Sequence, residues 1–308
     1  SLARAVEFRD AISKVRDDVT VVSLCGLGEP LLHPKLAHYV SLVVAEGFEV
    51  TVSSNGSLLT EEKGRELLDA GLHKIFLNVG EEGDDYEAVY HLPFERTLER
   101  VVRFNEMADE QGTCEVTVVL VDHRDSAEHV ERMRAYWASK GVVHTHSYEV
   151  MNRGGSLFID HMQYQDYDEL AQARAVLQER TGTPLCAAPL MFLFIGYDGQ
   201  YYLCCSDWEK QAPMGSVFEK SLVDVTADKL QHLASREPVC VSCILDPINR
   251  LTEEIRAEAR GEVPAGSADA LLESLVTGNV AIRAIPEQLG FAVPVPAPTR
   301  RTIPVRAG

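Results

Sequence analysis

The sequence predicts an α/β protein in which a parallel sheet is followed by a smaller, cysteine-rich domain. Over residues 1–150, short β-branched runs alternate with amphipathic helical stretches, a pattern typical of parallel strands joined by right-handed helical crossovers. After residue 151 the alternation stops, and five of the seven cysteines lie within residues 186–243. Open doubly wound sheets and closed or partial barrels share the first pattern, so periodicity alone leaves both open.

Five strands with intervening helices are predicted in the first half of the chain. The strands are predicted at residues 19–24, 48–53, 74–79, 114–121 and 142–150, and the helices at 1–15, 34–46, 60–71, 94–110 and 127–139. Thr60 is a suitable N-terminal cap, and Glu61 and Glu62 follow it in the first turn, where the helix dipole favours negative charge. These signals fix the start of that helix.

The second half of the chain predicts a hairpin between helices. Residues 191–195 and 200–203 are apolar runs on either side of Asp198-Gly199, a favoured hairpin turn. Helices are predicted at 165–180, 225–235 and 252–260. From residue 291 the chain is rich in proline, which predicts an extended tail.

Charge and composition exclude several classes of protein. The formal net charge is −18, so an acidic surface disfavours bulk binding to a phosphate backbone. No apolar run reaches the ~20 residues of a membrane span, and the N-terminal residues lack the apolar core of a signal peptide. Seven cysteines are an odd number, and their crowding suggests a metal rather than disulfides. We therefore expect a cytoplasmic protein.

Glycine-rich or polar turns follow most of the predicted strands. They are Cys25-Gly26-Leu27-Gly28-Glu29-Pro30, Ser53-Ser54-Asn55-Gly56, Asn78-Val79-Gly80 and Met151-Asn152-Arg153-Gly154-Gly155. Ligands of parallel α/β proteins bind at these carboxyl ends, and glycines let a ligand approach the backbone. Glu29 would add an acceptor for an ammonium or hydroxyl group. One such turn is more often structural, whereas several on one rim favour a small-molecule site.

The cysteines form a candidate metal site. Cys240 and Cys243 are separated by two residues, which lets two thiolates from one turn reach a common metal. Cys186 and Cys204 flank the predicted hairpin, whose open end could bring them together. Four thiolates suit tetrahedral zinc or an iron–sulfur cluster, and the residues alone leave that choice open. Cys205 is an alternative ligand to Cys204. Cys25 and Cys114 could instead be small buried hydrophobic residues without a role in metal binding, and we favour this interpretation for Cys114.

With these turns and cysteines, the sequence resembles radical S-adenosylmethionine (SAM) enzymes that carry a C-terminal SPASM or twitch auxiliary-cluster domain. Residues 26–30, Gly-Leu-Gly-Glu-Pro, are similar to the family's Gly-Gly-Glu-Pro turn, with Leu27 replacing the first glycine. The resemblance implies that Gly26, Gly28, Glu29 and Pro30 meet the methionine amino group of SAM. It also implies that Ser53 and Asn55 lie along the cofactor and that Asn78 faces its ribose. Residues 152–155 resemble the loop after the sixth strand.

The C-terminal resemblance is more specific. Cys186-x12-Gly199-x4-Cys204, followed by the Cys240-x2-Cys243 pair, is similar to the family's auxiliary-cluster pattern. It implies one auxiliary [4Fe–4S] cluster bound by Cys186, Cys204, Cys240 and Cys243. No cysteine follows Cys243, which implies the shortened twitch form. By the same resemblance Asp207 would lie near the cluster or the substrate, with an ordinary turn residue as the alternative.

The implied fold is a partial (β/α)6 TIM-like barrel that lacks its first strand, followed by a small cysteine-rich twitch/SPASM domain. The barrel is expected over residues 1–160, the cluster domain over 161–250, and a C-terminal helix with a proline-rich tail over 251–308. The family's Cys-x3-Cys-x2-Cys motif for the SAM-cleaving cluster is absent from the 308 residues. We expect either an N-terminally truncated chain or a degenerate one, and a second [4Fe–4S] cluster only if that motif exists upstream.

The resemblance implies a radical SAM oxidoreductase or maturase that forms a 5′-deoxyadenosyl radical and abstracts hydrogen from a small-molecule or peptide substrate. The auxiliary cluster would accept an electron or anchor the substrate, and a partner such as flavodoxin or ferredoxin would supply electrons. Arg153 would bind a substrate carboxylate or phosphate, or serve as a surface charge. The alternative is a non-catalytic, four-cysteine zinc or iron–sulfur protein that binds peptides and has lost SAM cleavage.

Overall fold

The chain folds into two compact units. The computed structural model describes residues 2–12, 21–26, 28–122, 124, 126–149, 168–236, 238–288 and 290–291. One unit, the sheet unit, spans residues 18–150, and the other, the cysteine unit, joins residues 1–17 to residues 151–308. The first helix, α1 (Leu2–Ile12), therefore belongs to the same unit as the cysteine cluster.

The sheet unit is built on five parallel strands, which confirms the predicted α/β class. They are β1 (Val21–Leu24), β2 (Glu49–Ser54), β3 (Lys74–Asn78), β4 (Glu115–Asp122) and β5 (His144–Glu149). Their order in the sheet is their order in the sequence, and every neighbouring pair is parallel. A doubly wound sheet reverses its strand order at a switch point, so the structure favours the barrel-like alternative.

Helices follow the strands as predicted, with one addition. They are α2 (Leu36–Ala45), α3 (Glu61–Asp69), α4 (Gly83–Tyr90), α5 (Phe94–Gln111) and α6 (Ala127–Ser139), with a short 3-10 helix at Pro30–Leu32. The predicted cap is confirmed, because the Thr60 hydroxyl accepts a hydrogen bond from the Lys63 amide at 3.3 Å. Helix α4 was not predicted.

The two faces of the sheet differ in burial. Ile75 and Leu77 of β3 are fully buried, whereas Phe76 and Asn78 on the opposite face are only half-buried. The carboxyl end of β3 is held from the buried side by Trp137 of α6, which is fully buried and donates its indole N–H to the Val79 carbonyl at 3.1 Å. The polar ends of the strands are thus attached to a rigid apolar layer.

The cysteine unit combines a small hairpin with a helical bundle. It contains α1, α7 (Asp168–Thr181), α8 (Ala187–Met191), β6 (Gln200–Tyr202), β7 (Pro213–Ser216), α9 (Leu222–Ser235), α10 (Pro238–Val241), α11 (Pro247–Arg260) and α12 (Ser267–Gln288). One apolar cluster surrounds the hairpin, and a second joins α7, α11 and α12. Both clusters lie within this unit, so it has its own core.

Three features of this unit differ from the predictions. The first hairpin strand is restricted to Phe194 and Ile195, because the chain before it forms α8 and β6 pairs mainly with β7. Helix α1, predicted as a barrel helix, belongs to this unit, where Arg4 Nε donates to the carbonyl of Val217, just after β7, at 3.3 Å. Helix α12 was not predicted, since Gly278 and Pro286 interrupt its sequence pattern.

None of the described helices is long and apolar enough to cross a membrane.

The Trp137 hydrogen bond predicts a measurable stability difference. Trp137→Phe removes the donor to the buried Val79 carbonyl and leaves a small cavity, so we expect a loss of about 1–3 kcal/mol in the free energy of unfolding. Tyr136→Phe on the same helix, where the side chain is half-exposed, should cost less than about 0.5 kcal/mol. Urea denaturation of both variants checks this, and equal losses would contradict it.

Candidate functional site

The turn after β1 is tied to the turn after β2 by one carboxylate. Glu29 Oε1 accepts hydrogen bonds from the Leu31 amide at 3.0 Å and the Ser54 hydroxyl at 2.8 Å, and Oε2 accepts from the Asn55 amide at 2.9 Å. The turn itself needs glycine, because Gly26 has a φ of +138°, which side chains rarely adopt. Glu29 therefore fixes two neighbouring strand ends relative to each other.

The third strand end joins the same network. Asn78 Nδ2 donates to Ser53 Oγ at 3.1 Å and to the Ser54 carbonyl at 3.3 Å. Asn55 Oδ1 accepts from the Ser57 amide at 2.9 Å and closes the turn after β2. The structure thus brings together Glu29, Ser53, Asn55 and Asn78, which the sequence placed on one rim.

The Glu29 carboxylate, expected as an acceptor for a ligand, is bound mainly by donors of the chain itself. A carboxylate has about four lone-pair sites, and three donors of the chain itself already occupy the Glu29 carboxylate. Pro30, which has no N–H to donate, begins the 3-10 helix that Glu29 caps. The side chain consequently serves first as a brace for the turn, while Gly26 and Gly28 on the same turn are exposed.

The four cysteines of the predicted cluster converge in the cysteine unit. Cys204, Cys240 and Cys243 are buried and Cys186 is half-buried. Each of the four sulfurs lies within electrostatic range of the other three. Cys205 is exposed, whereas the adjacent Cys204 is buried, which makes Cys204 the better-placed member of this pair. Cys186, Cys204, Cys240 and Cys243 are thiols that take part in no disulfide.

Burial makes these thiols weak acids. Desolvation raises the pKa of Cys186 to about 12 and that of Cys204 to about 11. It also raises the pKa values of Cys240 and Cys243, with a further contribution from the carboxylate of Asp246. A metal that binds here must therefore displace protons, and its positive charge would offset the cost of ionising the sulfurs.

Hydrogen-bond donors are already directed at three of the sulfurs. Cys186 accepts from the backbone of Ala188, Cys204 from Ser206 and Asp207, and Cys243 from Leu245 and Asp246. Such bonds stabilise thiolates and tune the potentials of iron–sulfur clusters. Four converging thiols, three of them buried and three of them with such donors, fit an iron–sulfur cluster by the chemistry of the donor set. Within the part of the chain that the structure describes, no three His, Cys, Asp or Glu side chains surround the position of one metal ion.

Asp207 lies in the loop between β6 and β7. It is 2% exposed, and its two oxygens accept from the amides of Gln211 at 2.7 Å and Ala212 at 2.9 Å. The structure supports the alternative of a turn residue, because both oxygens hold this loop closed. Arg153 lies outside the described residues.

Lys229 of α9 is a buried residue near the cysteines that the sequence analysis missed. It is 3% exposed, and its Nζ donates to the carbonyls of Pro189 at 2.5 Å and Phe192 at 3.0 Å. Burial lowers its pKa to about 8, while nearby Cys204 acts in the opposite direction. The sequence feature that could have identified it is the position of this lysine on the apolar face of the helix, in line with Leu222, Val225 and Leu233.

Asn249 and Asp246 were missed as well. Asp246 follows the cysteine pair and accepts from the amides of Ile248 at 3.0 Å and Asn249 at 3.2 Å, which caps α11. Asn249 is fully buried in the first turn of that helix. The Asp246-Pro247 sequence is a helix-start signal that could have located this helix, but nothing in the sequence connects Asn249 to the cysteines.

The burial difference between adjacent cysteines predicts their reactivity. In metal-free protein at a pH of about 8, exposed Cys205 should react with iodoacetamide at least about tenfold faster than buried Cys204, because the thiolate is the nucleophile and burial suppresses it. Timed alkylation followed by peptide mass spectrometry measures both rates. Urea-unfolded protein is the control, in which the two should react alike. Equal rates in the folded protein would contradict the geometry.

Comparison with known proteins bears on both units. Residues 3–136 match the radical SAM superfamily, and residues 186–244 match SPASM, an iron–sulfur cluster-binding domain. A tungsten-containing aldehyde ferredoxin oxidoreductase cofactor-modifying protein from Pyrococcus furiosus is 25% identical over 143 residues, which are 43% of this chain and 40% of that protein. The chain thus matches only about two fifths of this relative's length.

Solved structures of similar shape are distant in sequence. A histidine-tagged form of anSMEcpe with bound AdoMet has a TM-score of 0.50 at 11% identity, covering 92% of this chain and 89% of that chain. Streptococcus suis SuiB bound to the precursor peptide SuiA has a TM-score of 0.49 at 16% identity, covering 81% of this chain and 66% of that chain. At this identity the likeness to anSMEcpe concerns the fold alone.

The matched domains imply S-adenosylmethionine and [4Fe–4S] clusters as cofactors. The two matches fall where the sequence motifs predicted them, on the strand-end turns and on the four cysteines. The chain therefore carries a segment that matches the radical SAM superfamily and a C-terminal segment that matches SPASM, which are the two domains that the resemblance of its motifs indicated.

Proposed function

We propose that the full-length protein is a radical SAM oxidoreductase or maturase that uses an auxiliary [4Fe–4S] cluster. The observation that carries this proposal is the convergence of Cys186, Cys204, Cys240 and Cys243 in the segment that matches SPASM. The 308 residues contain no Cys-x3-Cys-x2-Cys motif. The proposal consequently requires that the cysteines of the SAM-cleaving cluster come from outside them.

The strand-end network is the proposed binding site for SAM. When bound beside its cluster and cleaved with one electron from it, SAM would supply methionine and a 5′-deoxyadenosyl radical for abstraction of hydrogen from the substrate. The exposed backbone of Gly26 and Gly28 would accept from the methionine ammonium, while the Glu29 carboxylate holds that turn in place. Ser53, Asn55 and Asn78 offer hydroxyl and amide groups on the neighbouring strand ends for the rest of the cofactor.

The cysteine unit is proposed to bind the auxiliary cluster through the four thiolates. Backbone donors to three of the sulfurs and the nearby ammonium of Lys229 place positive charge around an anionic group. Both features favour an added electron and raise a cluster's reduction potential. This supports a role as electron acceptor, with substrate anchoring as the alternative role.

The proposed substrate class is a small molecule or a peptide. The Pyrococcus furiosus relative is named for modifying a cofactor, and this supports the modification of a cofactor by the present protein. A reducing partner such as flavodoxin or ferredoxin would deliver the electron that SAM cleavage consumes.

The second candidate function is a non-catalytic peptide-binding protein built around a four-cysteine zinc or iron–sulfur site. It would use the same four converging cysteines and would need no SAM-cleaving cluster. Zinc requires its ligands around one ion at about 2.0–2.3 Å, whereas the thiolates of an iron–sulfur cube bind separate irons. Metal content therefore separates zinc from iron, and 5′-deoxyadenosine release by the full-length protein separates the catalytic from the non-catalytic function.

Metal analysis tests the cluster site. Protein purified and reconstituted without oxygen should hold about four irons at this site and absorb near roughly 400 nm. Cys243→Ala should lose most of that iron, since three ligands remain, while Cys205→Ala should retain it. One colourless zinc per chain would refute the iron–sulfur assignment, and iron loss in Cys205→Ala alone would refute the ligand set.

Glu29→Gln tests the strand-end site. Glutamine replaces the charged carboxylate with a neutral amide. Its NH2 group would face the Leu31 or Asn55 amide, which are donors themselves. We expect the full-length, cluster-loaded protein to bind SAM about tenfold more weakly, or ~1.4 kcal/mol. Equilibrium dialysis with labelled SAM measures this. Glu62→Gln, at an exposed position in the first turn of α3, is the matched control. Unchanged affinity in Glu29→Gln would contradict the assigned site.

A further inference from the structure

Three backbone carbonyls of the cysteine turn point at one side chain. Asn249 Nδ2 donates to the carbonyl oxygens of Cys240 at 3.2 Å, Val241 at 2.9 Å and Cys243 at 2.8 Å. The amide has two hydrogens, so at least one of them is shared between carbonyls. Asn249 is fully buried, and these bonds are therefore shielded from competing water.

The amide of Asn249 is oriented by a second network. Arg236 Nη2 donates to Asn249 Oδ1 at 3.0 Å and to Asp246 Oδ1 at 2.9 Å. Because the guanidinium is a donor only, the oxygen of the amide must face Arg236 and the NH2 group must face the carbonyls. The hydrogen-bond partners therefore decide which end of the Asn249 amide is the NH2 group, although the two ends have almost the same shape.

Asn249 is carried on a rigid element. It lies in the first turn of α11, directly after the Asp246 cap. The same helix buries Ile248, Leu251 and Ile255 in the apolar cluster shared with α7 and α12. A side chain held this way can transmit the position of the helix to the turn, since a site is best held by residues whose own rotamers are fixed by packing.

The bonds constrain the two metal-binding residues directly. A peptide unit is planar, so fixing its carbonyl fixes the orientation of the whole plane. Fixing the carbonyls of Cys240, Val241 and Cys243 therefore restrains the peptide planes that follow these residues and narrows the directions open to the two cysteine side chains. A turn with unfixed peptide planes would present its thiols in many arrangements.

We propose that Asn249 is a positioning residue that holds the Cys240–Cys243 turn in its metal-binding shape before the metal arrives. This inference rests on the proposed function, because the metal is taken to be the auxiliary cluster. Asn249 does not contact the metal in this proposal. Its effect is exerted through the backbone of the two ligands, so its removal should loosen the turn in metal-free protein and speed the loss of iron from loaded protein.

The test compares Asn249→Ser and Asn249→Asp with Thr252→Val. Serine removes the amide, and aspartate keeps the shape but directs oxygens at the carbonyls. Thr252 is the matched control, because it is equally buried in α11 and donates to the Ile248 carbonyl at 2.7 Å without reaching the turn. Deuterium uptake of residues 240–244 in metal-free protein and iron release to a chelator from reconstituted protein are measured for all three.

We expect faster deuterium uptake at residues 240–244 and at least about tenfold faster iron release for both Asn249 variants, as loss of buried hydrogen bonds would give. Thr252→Val should stay within about twofold of the original protein on both readouts. Uptake and release in the Asn249 variants that match Thr252→Val would overturn the proposal, as would failure of both variants to fold. If the original protein retains no iron while its deuterium pattern is as expected, the proposed function fails and the role in the turn stands.

Discussion

The cost of gathering four thiols in a buried site governs the architecture of the cysteine unit. Each sulfur must lose a proton to bind metal, yet burial opposes the negative charge and raises the thiol pKa values. Backbone donors at three sulfurs and the buried ammonium of Lys229 offset part of the cost of ionising the thiols. The positive charge of a bound metal would offset the rest of this cost, so metal affinity and folding of this unit are coupled.

In the sheet unit, hydrogen bonds between side chains and backbone hold several strand ends in fixed positions relative to one another. Polar groups at these ends remain for a ligand. Glu29 joins the first two turns through three hydrogen bonds, and Asn78 joins the second to the third. Trp137 holds the third strand end from the apolar side. The rim is thus organised by the chain's own side chains, which reduces the ordering that a ligand must bring about on binding.

The strands and the members of the cysteine cluster could be predicted because their signals are local. Apolar β-branched runs marked β1 to β5 within a few residues, and cysteine spacing marked the cluster. Barrel-like or doubly wound order could not be predicted from periodicity, because both alternate strand and helix. Cys204 and Cys205 could be distinguished only by burial, which depends on how the hairpin packs.

The remaining differences arise from long-range contacts. Helix α12 was missed because Gly278 and Pro286 weaken its sequence signal, whereas buried Arg283 ties it to the carbonyl of Thr183 at 2.8 Å. The Asn249 contact spans six to nine residues and depends on a turn whose shape no spacing specifies. The role of Glu29 as a brace was hidden for the same reason, since its partners lie 25 and 26 residues away.

Anomalous diffraction at the iron and zinc absorption edges, from crystals of reconstituted protein, tests the central claim most directly. We expect one iron-edge density at this site, bonded to the sulfurs of Cys186, Cys204, Cys240 and Cys243. A zinc-edge peak in its place, or iron bound through Cys205 with Cys204 left free, would contradict it.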